Sequence, residues 1–223
     1  MLEHKVLYTS DLHGNRKQYE LLVEFALQTK PATIIIGGDL APKKAELSEY
    51  LSLQRRFLEN DLPALIRPLK HALPDTNVFI ILGNDDCSVN ADVLDMHPEL
   101  YQNIHNKRVK LDGDYEIIGY SFVPITPFSI KDFEKFDLTI IGYPTMDYVK
   151  RMRDCNFMGV KSTNDSSLML KHFEFNDEDQ YEDSIQKDLS DWLFAQNRDR
   201  TVYVFHAPPY NTALDVLRNK EHV

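Results

Sequence analysis

Residues 5–15 read KVLYTSDLHGN, and this stretch decides the fold. Lys5–Ser10 is a short run rich in β-branched and aromatic residues, which favours a buried strand over a helix. It ends in Asp11-Leu12-His13-Gly14-Asn15, a cluster of oxygen and imidazole donors. The arrangement recurs twice: Thr33–Ile36 (TIII) runs into Gly37-Gly38-Asp39, and Asn77–Leu82 (NVFIIL) runs into Gly83-Asn84-Asp85-Asp86. One such turn reads as a strand-to-helix cap, because Asp and Asn are ordinary N-cap residues. Three in succession, one carrying a histidine, point instead to a ligand site.

Helical patterns lie between these runs. Arg16–Lys30 carries Tyr19, Leu22, Val23 and Ala26 on one face and stops at Lys30-Pro31. Lys43–Ala72 reads as a long helical stretch interrupted near Asp61-Leu62-Pro63 and Arg67-Pro68. A β-α-β-α-β order implies buried strands joined by crossover helices, and taken alone it reads as a doubly wound sheet with ligands beyond the carboxyl ends of the strands. The later half is looser α+β: strands are expected at Tyr115–Val123, Leu138–Tyr143 and Leu168–Phe175. Glu182–Gln196 is an amphipathic helix with Ile185, Leu189, Trp192 and Leu193 on one face. Thr201–Phe205 is a final strand ending in His206-Ala207-Pro208-Pro209. With no repeat, low-complexity tract or linker, residues 1–223 read as a single domain.

Composition narrows the function classes. The 223 residues carry 25 basic and 35 acidic side chains, a net charge of −10, which argues against nonspecific nucleic-acid binding. The two cysteines, Cys87 and Cys155, fit a reducing compartment and exclude a disulfide scaffold. The N-terminal residues lack a signal-peptide core, and no apolar run approaches membrane-spanning length, so a cytoplasmic protein without membrane partners is expected. Glycine is scarce at eight residues, about half the usual share of roughly 7%, and four of the eight (14, 37, 38 and 83) mark the donor-rich turns.

Collected at strand ends are Asp11, His13, Asp39, Asn84 and His206. Hard oxygen donors mixed with imidazoles, with no thiolate, suit Mn, Fe, Zn or Co. Asp11 and His13 stand two apart on an extended segment and share a face; a carboxylate such as Asp39 from the next strand could bridge two ions. Asp-x-His, Gly-Asp, Gly-Asn-x-Asp and a strand-ending His, in that order, resemble the calcineurin-like metallophosphoesterases over essentially the whole chain. The segments Gly119-Tyr120-Ser121 and Pro127–Asp132 also resemble a stretch of bacterial members. The resemblance implies an α/β (α+β) fold with a central β-sandwich flanked by helices, replacing the doubly wound reading. It implies two divalent metal ions, one held by Asp11, His13 and Asp39, the other by Asp39, Asn84 and His206. It further implies a bridging hydroxide that attacks a small phosphate-ester substrate while Asn84 helps neutralise the developing charge.

Two departures qualify this. The family usually has histidine where this chain has Asp85, so the catalytic position next to Asn84 holds a carboxylate. Beside divalent cations that carboxylate is a poor proton donor and repels a dianion more than a monoanion, which shifts the expected substrate toward diesters. Asp86 matches the acid that orients the usual histidine, and either a site role or a structural role is open to it. The family's closing Gly-His-x-His is also absent, so a chain cut short at its C-terminus and lacking its last strands is expected, with His222 a loop residue. The rival reading is a metal-poor scaffold of the same fold, like the retromer subunit that resembles phosphoesterases; a nuclease of the family is disfavoured by the charge. His4, His71, His97, His105 and His172 read as surface or packing residues. Cys87 reads as a small buried residue, residues 176–183 as a solvated loop and cap, and Lys131, Arg151 and Arg153 as surface cations.

Overall fold

The computed structural model describes residues 4–43, 46–138, 158–173, 182–193, 198–209 and 212. The N-terminal half is the expected alternation. Strand β1 (Val6–Thr9) leads to helix α1 (Arg16–Thr29), strand β2 (Thr33–Gly37), helices α2 (Tyr50–Arg56) and α3 (Leu62–Ala72), and strand β3 (Asn77–Ile81). Asn15 caps α1 by accepting from the Gln18 amide, and Lys30 closes it in the left-handed conformation. The two prolines expected to break the second helical stretch do not. A π-helical turn over Phe57–Asp61 joins α2 to α3, Pro63 falls in the first turn of α3, where an amide donor is not needed, and Pro68 is carried inside the helix.

A two-residue strand β4 (Gln102–Asn103) completes a parallel sheet in the order β1-β2-β3-β4. Strands β5 (Arg108–Asp112) and β6 (Tyr115–Tyr120) form a hairpin. The short strands β7 (Val123–Pro124) and β8 (Glu134–Lys135) pair with each other, and β9 (Met158–Ser162) and β10 (Leu168–His172) form a second hairpin. Helix α4 (Ile185–Leu193) precedes β11 (Thr201–Phe205), which joins β6 in parallel, so the second sheet runs β11-β6-β5. The expected strand over residues 138–143 falls, apart from Leu138, outside the described residues.

Side-chain alternation along β2 and β3 explains the layering. Ile34, Ile36, Val78 and Ile80 pack against Tyr19, Leu22 and Ala26 of α1 and Leu62, Ile66 and Leu69 of α3. On the opposite face Ile35, Phe79 and Ile81 pack against Ile117 and Val204 of the second sheet. Two sheets are therefore stacked, with helices on the outer face of one: the β-sandwich, not the doubly wound sheet. One expectation fails. β1 is not fully buried, because it is an edge strand that contributes nothing to the inter-sheet core, and Val6 and Tyr8 are 50% and 53% exposed. Among the described residues no helix is long and apolar enough to cross a membrane.

Candidate metal centre

The loops after β1 and β2 are laced together beyond the strands themselves. The amides of Asp11, His13 and Gly14 donate to the carbonyls of Gly38, Asp39 and Leu40 at 3.0, 2.8 and 2.8 Å. This continues the parallel ladder into the turn and sets Asp11, His13 and Asp39 side by side, with one donor atom of each within 4.8 Å of the others. All three have positive φ (57°, 45° and 53°), a region costly for any residue but glycine and persisting where the surroundings hold it.

Asp39 is the centre of the arrangement. It is almost fully buried, and its oxygens face different histidines: Oδ2 lies 3.7 Å from Nε2 of His13, and Oδ1 lies 3.5 Å from Nε2 of His206. Oδ1 also accepts from the Asp85 amide at 2.9 Å, which ties the third loop to the second. Burial opposes the charge on Asp39, but the hydrogen bond and charge of His206 hold its carboxyl below the usual range. Burial likewise opposes charge on His206, yet Asp39 and the Gly37 carbonyl push its pKa up to about 9.

His206 follows β11 and is anchored by its own amide on the Tyr120 carbonyl. Its Nδ1 is 2.8 Å from the Gly37 carbonyl oxygen, which can only accept, so Nδ1 carries a proton. That fixes Nε2 as the nitrogen facing Asn84 Oδ1 (3.0 Å) and Asp39, the orientation used by metal-ligating imidazoles. Close approach of the loops requires Gly83: a Cβ there would come within 2.3 Å of Asp39 Oδ1 and 2.7 Å of His206 Cε1. Nδ1 of His13 is buried without a hydrogen-bond partner. Two carboxylates and an imidazole with donor atoms within 4.8 Å of one another, the imidazole keeping a buried nitrogen unsatisfied, are a donor set that fits a divalent cation.

The five side chains expected from the sequence, Asp11, His13, Asp39, Asn84 and His206, thus converge. Asp85 joins the centre through its amide on Asp39, while its side chain pairs with the Lys43 ammonium at 2.6 Å and its carbonyl accepts from Tyr50 and Gln54. Lys43, which also lies 5.1 Å from the centre of the Phe128 ring, is the residue that sequence reading missed, and its separation of 42 positions from Asp85 offers no local signal. Asp86 is structural. Fully buried, it accepts from the amides of Leu40, Ala41 and Gly83 at 2.9–3.0 Å and so clamps the second and third loops together; burial and the Asp39 charge raise its pKa to about 7. Cys87 is buried as expected, with its thiol pushed up by burial. Lys131 is not a surface cation: it is buried on Glu134 at 2.8 Å. Arg151, Arg153 and His222 lie outside the described residues.

Comparison with known proteins supplies the family. The model of the calcineurin-like phosphoesterases matches residues 4–223. Among solved structures, TT1561 of Thermus thermophilus is 22% identical with a TM-score of 0.38, over 68% of this chain and 61% of that one. A second solved structure is 15% identical with a TM-score of 0.44, over 68% of this chain and 65% of the other. The chain thus spans less than two thirds of the length of either. Comparison with curated proteins returned no match. With the family model covering residues 4–223, nearly the whole chain, the chain belongs to the calcineurin-like phosphoesterase family.

Proposed function

We propose that this protein hydrolyses phosphate esters, diesters in preference, at a centre of two divalent ions. Asp11 and His13 would hold one ion, Asn84 and His206 the other, and Asp39 would serve both. The observation that carries the reading is the Asp39 carboxylate, whose two oxygens face His13 and His206 separately. Ions held there would lower the pKa of a coordinated water and polarise the phosphoryl group.

The remaining work falls to the protein. The bond from His206 Nδ1 to Gly37 aims Nε2 at the centre, where a metal ion would take the place of its proton. The Asp39–Asp85 and Asp86 hydrogen bonds hold three loops in register around the donors. Asn84 supplies a neutral amide to the developing charge. Asp85 places a carboxylate where a proton donor would assist the leaving group, which favours leaving groups that depart unaided and substrates of lower charge. Lys43 partly offsets that carboxylate.

The test is hydrolysis of bis-p-nitrophenyl phosphate with added Mn²⁺, Zn²⁺, Fe²⁺ or Co²⁺, and of p-nitrophenyl phosphate for comparison. Metal-dependent turnover, faster on the diester and lost in Asp39→Asn, is expected. Turnover no higher than that of Asp39→Asn with every metal would reject an enzyme and leave the scaffold reading.

A further inference from the structure

A cavity of about 350 Å³ lies between the hairpin β9–β10 and the segment around β7 and β8, and none of its lining residues belongs to the metal group. That volume falls within the range of small-molecule sites, about 300–1,000 Å³. Its walls include Phe122, Phe133, Phe173 and His105. Phe122 and Phe133 meet edge to face at 5.6 Å, and His105 meets Phe133 at 5.4 Å, so the aromatic wall is rigid. The His105 ring is neutral at pH 7, since burial lowers its pKa to about 4.

The cavity is lined by four lysines and three carboxylates. Of the carboxylates that line it, Asp132 accepts from the Ser88 and Ser162 amides and the Ser88 hydroxyl. Glu134 is spent on Lys131 and Thr126, and Asp183 on Lys135. Lys161 and Lys171 remain. They stand diagonally on one face of the hairpin, where Lys161 pairs with Met169 and Lys171 with Gly159. Neither has a carboxylate partner among the described residues; Lys171 lies 5.0 Å from the centre of the Phe173 ring. In a chain of net charge −10, two ammonium groups without a carboxylate partner among the described residues, beside an aromatic wall, form a local site for negative charge.

We propose that this cavity is a second ligand site, for an anion attached to a flat aromatic ring, as in a nucleoside monophosphate. The ring would lie against the phenylalanines and the phosphate would reach Lys161 and Lys171. The site needs no metal, so its test is independent of hydrolysis.

AMP is titrated into the full chain in excess EDTA and followed by calorimetry, with adenosine and inorganic phosphate titrated in parallel. AMP is expected to bind at least about tenfold more tightly than either. The double variant Lys161→Gln/Lys171→Gln should weaken AMP by about tenfold or more at an unchanged unfolding midpoint, and Asp39→Asn should leave it unchanged. If the double variant loses cooperative unfolding, the single Lys161→Gln variant, at an exposed position, should still weaken AMP by about threefold. The proposal is overturned by no AMP binding up to about 10 mM, by equal binding of phosphate, by insensitivity to the lysine variants, or by loss in Asp39→Asn.

Discussion

His105 should make the fold acid-sensitive. The ring is part-buried among Tyr120, Phe122 and Phe133, and its Nδ1 accepts a hydrogen bond from the Ser121 amide at 3.1 Å. An acceptor nitrogen must lack a proton, so the neutral Nε2–H tautomer is the one that fits, and a second proton would set two N–H groups against each other. Burial is the largest cause of the shift, which takes the pKa from 6.5 to about 4. Between those values the unfolded chain binds the proton and the folded chain does not. The penalty is therefore absent above pH 6.5, grows as pH falls, and is complete below about pH 4. A shift of that size corresponds to about 3 kcal/mol in full, and to about 2 kcal/mol by about pH 5.

The perturbation is His105→Asn, whose amide oxygen can accept the Ser121 hydrogen bond but does not titrate. It loses ring packing at every pH, so the informative quantity is the difference between the proteins at two pH values. Urea unfolding near pH 7.5 and near pH 5 should show the wild type losing about 2 kcal/mol more than the variant on acidification. Asp132 and Glu134, whose carboxyls burial raises, are present in both proteins and cancel to the extent that they act independently of His105. Parallel losses in the two proteins would refute the reasoning.

Four further outcomes are expected. Glu134→Gln should destabilise the protein by about 3 kcal/mol in urea, since Lys131 would be left as a buried charge without its anion, whereas a loss below about 1 kcal/mol would show that water reaches the pair. Asp86→Ala should cost about 3 kcal/mol or more in metal-free protein, because three buried amides lose their acceptor. Gly83→Ala should lower Mn²⁺ binding by tenfold or more, about 1.4 kcal/mol, by pushing Asp39 and His206 apart; retained affinity would show that the loop shifts instead. Lys43→Met should raise the ratio of diester to monoester kcat/KM by about fourfold, the effect of one extra charge about 5 Å away at the dielectric of water, and an unchanged ratio would place Asp85 too far from the substrate to matter.

What the sequence made legible was what is local. β1, β2, β3, α1 and β11 are contiguous apolar patterns with their own stop signals, and each lies within a residue or two of its expected position. The five residues expected at the site stand out because each lies at the end of such a run. The missed elements draw their stability from partners far along the chain. β9 holds together by pairing with β10, β4 consists of two residues on β3, and the 3-10 stretch Ser88–Met96 has no helical period. Lys131 and Lys43 fail for one reason: a lysine is by default exposed, and nothing in spacing announces that Glu134 will bury one or that Asp85 will pair with the other. The π-helical turn that carries the chain into Pro63 is likewise a tertiary accommodation that a proline-stops-helix rule cannot anticipate.

The backbone bears on the choice between enzyme and inert scaffold. Among the described residues six non-glycine positions have positive φ, and three of them are Asp11, His13 and Asp39. Each such residue costs about 1 kcal/mol or more relative to relaxed backbone. A fold that needed only tight turns here could place glycine at those positions, as it does at the neighbouring Gly14 and Gly38. Glycine would remove the strain and with it the donor atoms. The chain keeps the side chains and the strain together at the three positions whose donors converge within 4.8 Å, while Asp86 spends a buried carboxylate to hold the surrounding loops. A metal-poor scaffold would gain nothing from that combination, whereas a cation bound by all three would offset its cost.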